Sequence, residues 1–209
     1  MSPIHLEGVR MGKVVSSASM SLDGFIGNPD NTVGRLFDWY NSGDIKVPTA
    51  VEELGFTMTP QSAEYWRTWT AGLGALVVGR ELFDVTDGWR GAHPLGVPVV
   101  VLTHQPPTDW DYPGADSFSF VTDGIEPAVA LAQQIAAEKN VGVAAGTIAR
   151  QCLEAGLLDE VAVDLVPVVM GKGRPYFGEL SEGPQLLGDP TTLIQGERVT
   201  HLVFPLLKT

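Results

Sequence analysis

Apolar runs of strand length alternate with helical stretches along most of this chain, and few folds accept that alternation. "GALVVGRELFDV" passes from strand to helix through Gly79-Arg80, and "PVVVLTHQPP" ends on Thr103-His104. "NVGVAAGTIARQCLEAG" turns at Ala145-Gly146-Thr147 into a helix stopped by Gly156. The pattern predicts strands at 13–20, 75–78, 98–103, 117–122, 140–144 and 160–170, with two more near Leu193 and at 201–206. It predicts helices at 60–73, where Tyr65, Trp66 and Trp69 recur at helical spacing, then just after Arg80, at 125–138 and at 147–155. Residues 28–59 read as irregular. Strands separated by helices need crossover connections and so pair in parallel, while the closing run of strands supplies an antiparallel edge. The expected fold is α/β: a three-layer αβα sandwich around a mostly parallel mixed sheet, in one domain spanning 1–209.

The formal charge of −12 leaves no basic face for nucleic-acid phosphates or an anionic membrane, so neither partner is expected. An anionic small ligand remains compatible, because donors at a site outweigh the global field. Cys152 is the only cysteine, which excludes an intrachain disulfide and reads as a small core hydrophobe. His5, His93, His104 and His201 show no ligand spacing, and no metal is expected. "MSPIHLEGVRMGKVV" lacks the apolar core of a leader, and no run has the length of a membrane span, so a cytoplasmic protein is expected.

Three strand ends carry similar chemistry. In open α/β sheets ligands settle beyond the carboxyl ends of the strands. Gly79-Arg80 and Ala145-Gly146-Thr147 open helices, whose free N–H groups favour phosphate. Arg80 adds a bidentate cation and Thr103 a hydroxyl. Taken singly, each is a turn or a solvated arginine paired with Glu81 or Asp84; taken together, they read as a cradle for a phosphorylated nucleotide. "GKG" at 171–173 lacks the frame of a phosphate loop and reads as a strand-end turn.

The blocks "SMSLDGFIG" (19–27), "VVGRELFD" (77–84), "VVVLTHQPP" (99–107), "GVAAGTIARQCLEAGLLDEVAV" (142–163) and "PVVMGKGRPYF" (167–177) together resemble the dihydrofolate reductase fold. The closer resemblance is to the reductase domain at the C-terminus of the bacterial riboflavin-biosynthesis deaminase–reductase. Since the chain begins near its first strand, the resemblance is to a stand-alone reductase without the deaminase. It implies NADPH as cofactor and a homodimer. It also implies that Gly79 and Arg80 hold phosphates, that Thr103 and His104 lie by the adenosine 2′-phosphate, and that Ala145, Gly146, Thr147 and Ile148 wrap the pyrophosphate. Ala18, Gly24 and Ile26 would border the nicotinamide. The family usually carries two adjacent glycines where this chain has Ala145-Gly146, in a shortened turn. A methyl there would bear on cofactor affinity more than on the fold.

The expected activity is hydride transfer from NADPH to a small heterocyclic substrate, pteridine- or pyrimidine-like. The alternatives are a non-catalytic nucleotide-binding or dimerising module on the same fold, and a flavin- or deazaflavin-linked enzyme on another. Asp23 and Glu64 are the candidate proton donors, against loop-structuring and solvated readings respectively. Trp39, Trp66 and Phe83 are candidate stacking partners for a flat ring, with core or lid packing as the competing role. Asp164 interrupts the apolar run "VAVDLVPV" and faces either the pocket or an interface. The many valines of that run suggest either a dimer surface or a central strand buried on both faces.

Overall fold

In the computed structural model, which describes residues 11–207, the apolar runs assemble into one eight-stranded sheet. Most of the N-terminal stretch read for a leader lies outside the described residues. In chain order the elements are β1 (Val14–Ser21), β2 (Phe25–Gly27), β3 (Ile45–Val47), β4 (Phe56–Met58), α1 (Pro60–Ala71), β5 (Leu73–Gly79), α2 (Arg80–Val85) and β6 (Val99–Leu102). They continue with β7 (Phe118–Val121), α3 (Ile125–Ala136), β8 (Asn140–Ala144), α4 (Thr147–Glu154), β9 (Glu160–Val166), β10 (Arg174–Pro175), β11 (Thr192–Gly196) and β12 (Val199–Pro205). The sheet order is β11-β12-β9-β1-β8-β5-β6-β7. Pairing is parallel from β9 through to β7, and β12 joins antiparallel to both β9 and β11.

Period-two alternation divides the core. Ala75, Val77, Val100, Val141 and Val143 face one side, where they pack with Ile125, Ala128, Val129, Ala132, Ile148 and Ala149 of α3 and α4. Leu76, Val78, Val99 and Val101 face the other, with Phe83 of α2 and Phe118. A third cluster, with Leu36, Trp39, Met58, Ala63 and Val199, seats α1 and the 34–58 segment over β9 and β12. The three-layer α/β architecture is thus the expected one. Among the described residues no helix is long and apolar enough to cross a membrane.

Two expectations are corrected. The strand predicted to run to Met170 ends at Val166, because Pro167 has no N–H for a ladder; the next N–H, of Val168, bonds instead to the Val166 carbonyl at 2.8 Å. β9 is also an interior strand, flanked by β1 and β12, with Val161, Val163 and Val166 buried. Its buried valines are therefore covered within the chain, whereas Val169, beyond the strand, is exposed. Residues 28–59 are not wholly irregular: Gly34–Asn41 forms a 3-10 helix and β3 pairs with β4. Strands of three residues are too short to show a period.

Gly43 anchors this segment. Its N–H donates to the Thr57 carbonyl at 2.9 Å, and a Cβ there would lie 2.0 Å from the Met58 carbonyl carbon. Backbone cannot retreat as a flexible side chain can. Gly43→Ala is expected to cost about 2–3 kcal/mol in a denaturation titration; a cost below roughly 0.5 kcal/mol would show that the segment slides freely on β4.

Candidate functional site

A cavity of about 1230 Å³ runs over the carboxyl ends of the parallel strands and along the sheet face bearing Ser17, Ser19, Leu76, Val78 and Asp164. All three strand-end turns border it: Gly79-Arg80, Thr103-His104 and Ala145-Gly146-Thr147. Ala18, Ile26 and Ile148 line it as well. Gly24 does not. Its carbonyl instead accepts from the Tyr176 N–H (3.0 Å), and the Tyr176 carbonyl accepts from Gly146 N–H (2.6 Å). Gly24 thereby ties the first loop to the glycine turn from behind. Gly146 has φ +87°, a conformation that favours glycine, and the space beside it is open, with Ile26 Cδ1 3.8 Å from a built Cβ.

At the cradle, Arg80 Nε donates to Asp84 (2.6 Å) and Nη1 to the Gln105 carbonyl (2.6 Å). The same carbonyl accepts from Thr103 Oγ1 at 2.9 Å, which links the ends of β5 and β6. The Arg80–Asp84 pair is exposed on both sides and so contributes little stability. It can be exchanged for a stronger anion at small cost. Two arginines overlooked in the sequence also line the cavity. Arg174 pairs with Glu81, and Arg150 donates to the Glu179 carbonyl at 3.3 Å. The Nε of each is buried without a hydrogen-bond partner among the described residues. In the sequence, Arg150 is only a helix cation one turn past a glycine, and nothing local distinguishes it.

A polar row crosses the apolar face. Ser19 on β1 is in register with Asp164 on β9, and Asp164 with His201 on β12. Alternation puts all three on one face, and all are buried. His201 Nδ1 lies 2.7 Å from Asp164 Oδ1 and its Nε2 lies 2.9 Å from Ser62 Oγ, so both ring nitrogens have a hydrogen-bond partner. Asp164 lines the cavity, and its second oxygen has no protein partner among the described residues. Trp39 Nε1 donates to Ser19 Oγ at 2.9 Å. Burial and the nearby Asp164 charge raise the Tyr40 and Tyr65 phenols, so both stay protonated, and the Tyr65 hydroxyl is buried without a hydrogen-bond partner among the described residues.

The remaining candidates lie elsewhere. Asp23 is exposed and outside the cavity; its carboxylate accepts from Ser21 Oγ (2.7 Å), Met170 N–H (3.1 Å) and Gly171 N–H (2.7 Å). The Ser21 hydroxyl foremost, then the backbone donors, lower its pKa to about 2. It clamps the first loop to the turn after β9. Glu64 is exposed on α1, whereas Tyr65, Trp66 and Trp69 of that helix line the cavity. Phe83 and Trp39 are core residues, 2% and 0% exposed, and neither lines the cavity. The rings that do include Phe37, Tyr40, Phe56 and Trp89, the last presented by a left-handed turn over Asp87–Arg90.

The chain belongs to the RibD C-terminal domain family, which it matches over residues 12–187. No curated protein sequence matches it significantly. Among solved structures it is similar to a protein from Shewanella sp. PV-4 provisionally assigned to riboflavin biosynthesis, with TM-score 0.72, 18% identity, and 94% of this chain and 99% of that one covered. The deaminase/5-amino-6-(5-phosphoribosylamino)uracil reductase of Thermotoga maritima gives TM-score 0.61 at 13% identity, over 94% of this chain and 57% of that one. Dihydrofolate reductase from Enterococcus faecalis complexed with NADP(H) gives 0.57 at 16%, over 95% and 98%. At these identities the likeness is one of fold: a dihydrofolate reductase-like sheet in a reductase-like family.

Two measurements test the site's framework. His201→Leu leaves Asp164 buried without its partner, and is expected to cost about 3–5 kcal/mol in a denaturation titration; a loss under roughly 1 kcal/mol would show that the pair holds nothing. Asp23 stabilises the fold above its unfolded pKa near 3.8, a contribution lost as pH falls toward its folded value of about 2. Asp23→Asn is therefore expected to lower the urea midpoint at pH 7, with the gap to the parent closing between pH 4 and 2. A gap independent of pH would assign the clamp to shape rather than charge.

Proposed function

We propose that the protein is an NADPH-dependent reductase that delivers hydride to a small pteridine- or pyrimidine-like heterocycle. The observation that carries this reading is one cavity joining three donor-bearing strand ends to an aromatic recess with a carboxylate in its wall. The donor set fits a dinucleotide phosphate. Arg80, Thr103 and His104 would hold the 2′-phosphate, and Gly146, Thr147 and Arg150 the pyrophosphate, where the buried Arg150 Nε gains an acceptor. Ala18 and Ile26 would border the nicotinamide. Bound there, the dinucleotide supplies a hydride.

Asp164 is the acid of this reading, since Asp23 and Glu64 do not line the cavity. His201 occupies one of its oxygens and orients the other toward a heterocycle's N–H edge. The surrounding aromatic rings exclude water, which strengthens that contact. An acid in the cavity wall also favours catalysis over a non-catalytic module. A homodimer remains part of the proposal through the family resemblance alone.

The dinucleotides NADPH and NADH differ by one ribose phosphate, and Arg80 is the cation at the first strand end. Charge-assisted hydrogen bonds contribute about 1.5–3 kcal/mol, so Arg80→Ala is expected to weaken NADPH roughly 10- to 100-fold, with much less effect on NADH. Titration of both cofactors checks this. Equal losses would move Arg80 to the shared pyrophosphate, and no loss would leave it as the partner of Asp84.

A further inference from the structure

We infer that the substrate carries an uncharged apolar or aromatic substituent, laid along a wall of packed aromatic rings, rather than a sugar phosphate. This deepens the reductase reading and rests on it for the heterocycle at Asp164. The wall is continuous. Phe37 meets Tyr40 at 5.0 Å between ring centroids, Tyr40 meets Phe56 at 4.5 Å, Phe56 meets Trp66 at 5.6 Å and Trp66 meets Trp69 at 6.2 Å. All five rings line the cavity. Its foot stands beside the acid: Tyr40 packs on Trp39, which bonds Ser19, the register neighbour of Asp164. Its outer end is wet, since Phe37 is 42% exposed.

More apolar side chains gather where the cavity opens. Leu54 is 41% exposed, Leu82 39% and Val85 55%, and each lines the cavity. Leu82 and Val85 lie one turn apart on α2 and Leu54 comes from the loop after β3, so two separate elements contribute. Apolar surface converging on one cavity from separate elements is what an apolar ligand covers.

A sugar phosphate needs cations, and this half of the cavity has none among the described residues. Arg35 pairs with Asp38, and neither it, Lys46 nor Arg67 lines the cavity. His93 does line it, but burial lowers its pKa to about 4, so it is neutral near pH 7 and accepts from the Leu95 N–H. The arginines that line the cavity, Arg80, Arg150 and Arg174, come from the first residue of α2, from α4 and from β10, at the turns assigned to the dinucleotide.

The test compares two 2-aminopyrimidin-4-ones that differ only in the 6-amino substituent, phenylpropyl in one and 5-phosphoribosyl in the other. Binding is read by tryptophan fluorescence with and without NADPH, and NADPH is titrated separately. The phenylpropyl compound is expected to bind at least about tenfold more tightly. Phe37→Ala, at an exposed position, is expected to remove most of that advantage without changing NADPH affinity. Tighter binding of the phosphoribosyl compound, or an advantage indifferent to both Phe37→Ala and Trp66→Ala, would overturn the inference. Failure to bind NADPH while the phenylpropyl preference persists would support the wall and sink the reductase reading instead.

Discussion

The contact on which the site depends is the chain Asp164–His201–Ser62, which runs from the cavity wall through the sheet into α1. A carboxylate on the apolar face of a sheet is costly unless something satisfies it. His201 does so from the neighbouring strand, and Ser62 fixes the ring from the helix. The order of groups is that of a hydrolytic triad, with the direction reversed. Here the carboxylate reaches the cavity, while Ser62 is 1% exposed and does not line it. The serine cannot be a nucleophile for anything in the cavity. It orients a histidine, and the histidine orients an acid.

The two halves of the cavity are made by different physics. The cradle half uses the ends of parallel strands, so its donors are set by the register of β5, β6 and β8, and small hydrogen bonds lock it: Gly24 to Tyr176 to Gly146, and Arg80 and Thr103 to one carbonyl. The aromatic half hangs on the 34–58 segment, which has little regular structure. It is held by ring contacts, by Trp39 on Ser19, and by the close backbone approach at Gly43.

That division also explains what could be read in the sequence. Parallel strands leave apolar runs, and runs that end in glycine, threonine or arginine are local features; the structure brings Gly79, Arg80, Thr103 and Gly146 of those ends to one cavity. Asp164 stood out as a charge within such a run. Its partner did not, because His201 lies 37 residues away and the link exists only through the β9–β12 register. Glu64 failed to reach the cavity for a related reason: helical spacing gives the faces of α1 but not which one the sheet covers, while Trp39 sits in the 3-10 helix Gly34–Asn41 and is buried in the cluster beneath it. The buried face of α1 carries Ser62 and Ala63, and the tryptophans of that helix turn toward the cavity.

The alanine at position 145 is where sequence and structure have to be weighed against each other. A missing glycine matters only where the backbone needs a conformation barred to other residues, or where a methyl would collide. Gly146 is the position with positive φ in this turn, and it is a glycine. Ala145 needs no such freedom: it is half-buried and packs on the cluster beneath α3 and α4. The turn thus keeps its glycine at the one residue whose dihedrals require it, where the N–H is held by Tyr176 and the carbonyl begins α4 by accepting from Arg150. Ala145 therefore falls where the fold tolerates a side chain, and the positive-φ position of the turn is kept by a glycine.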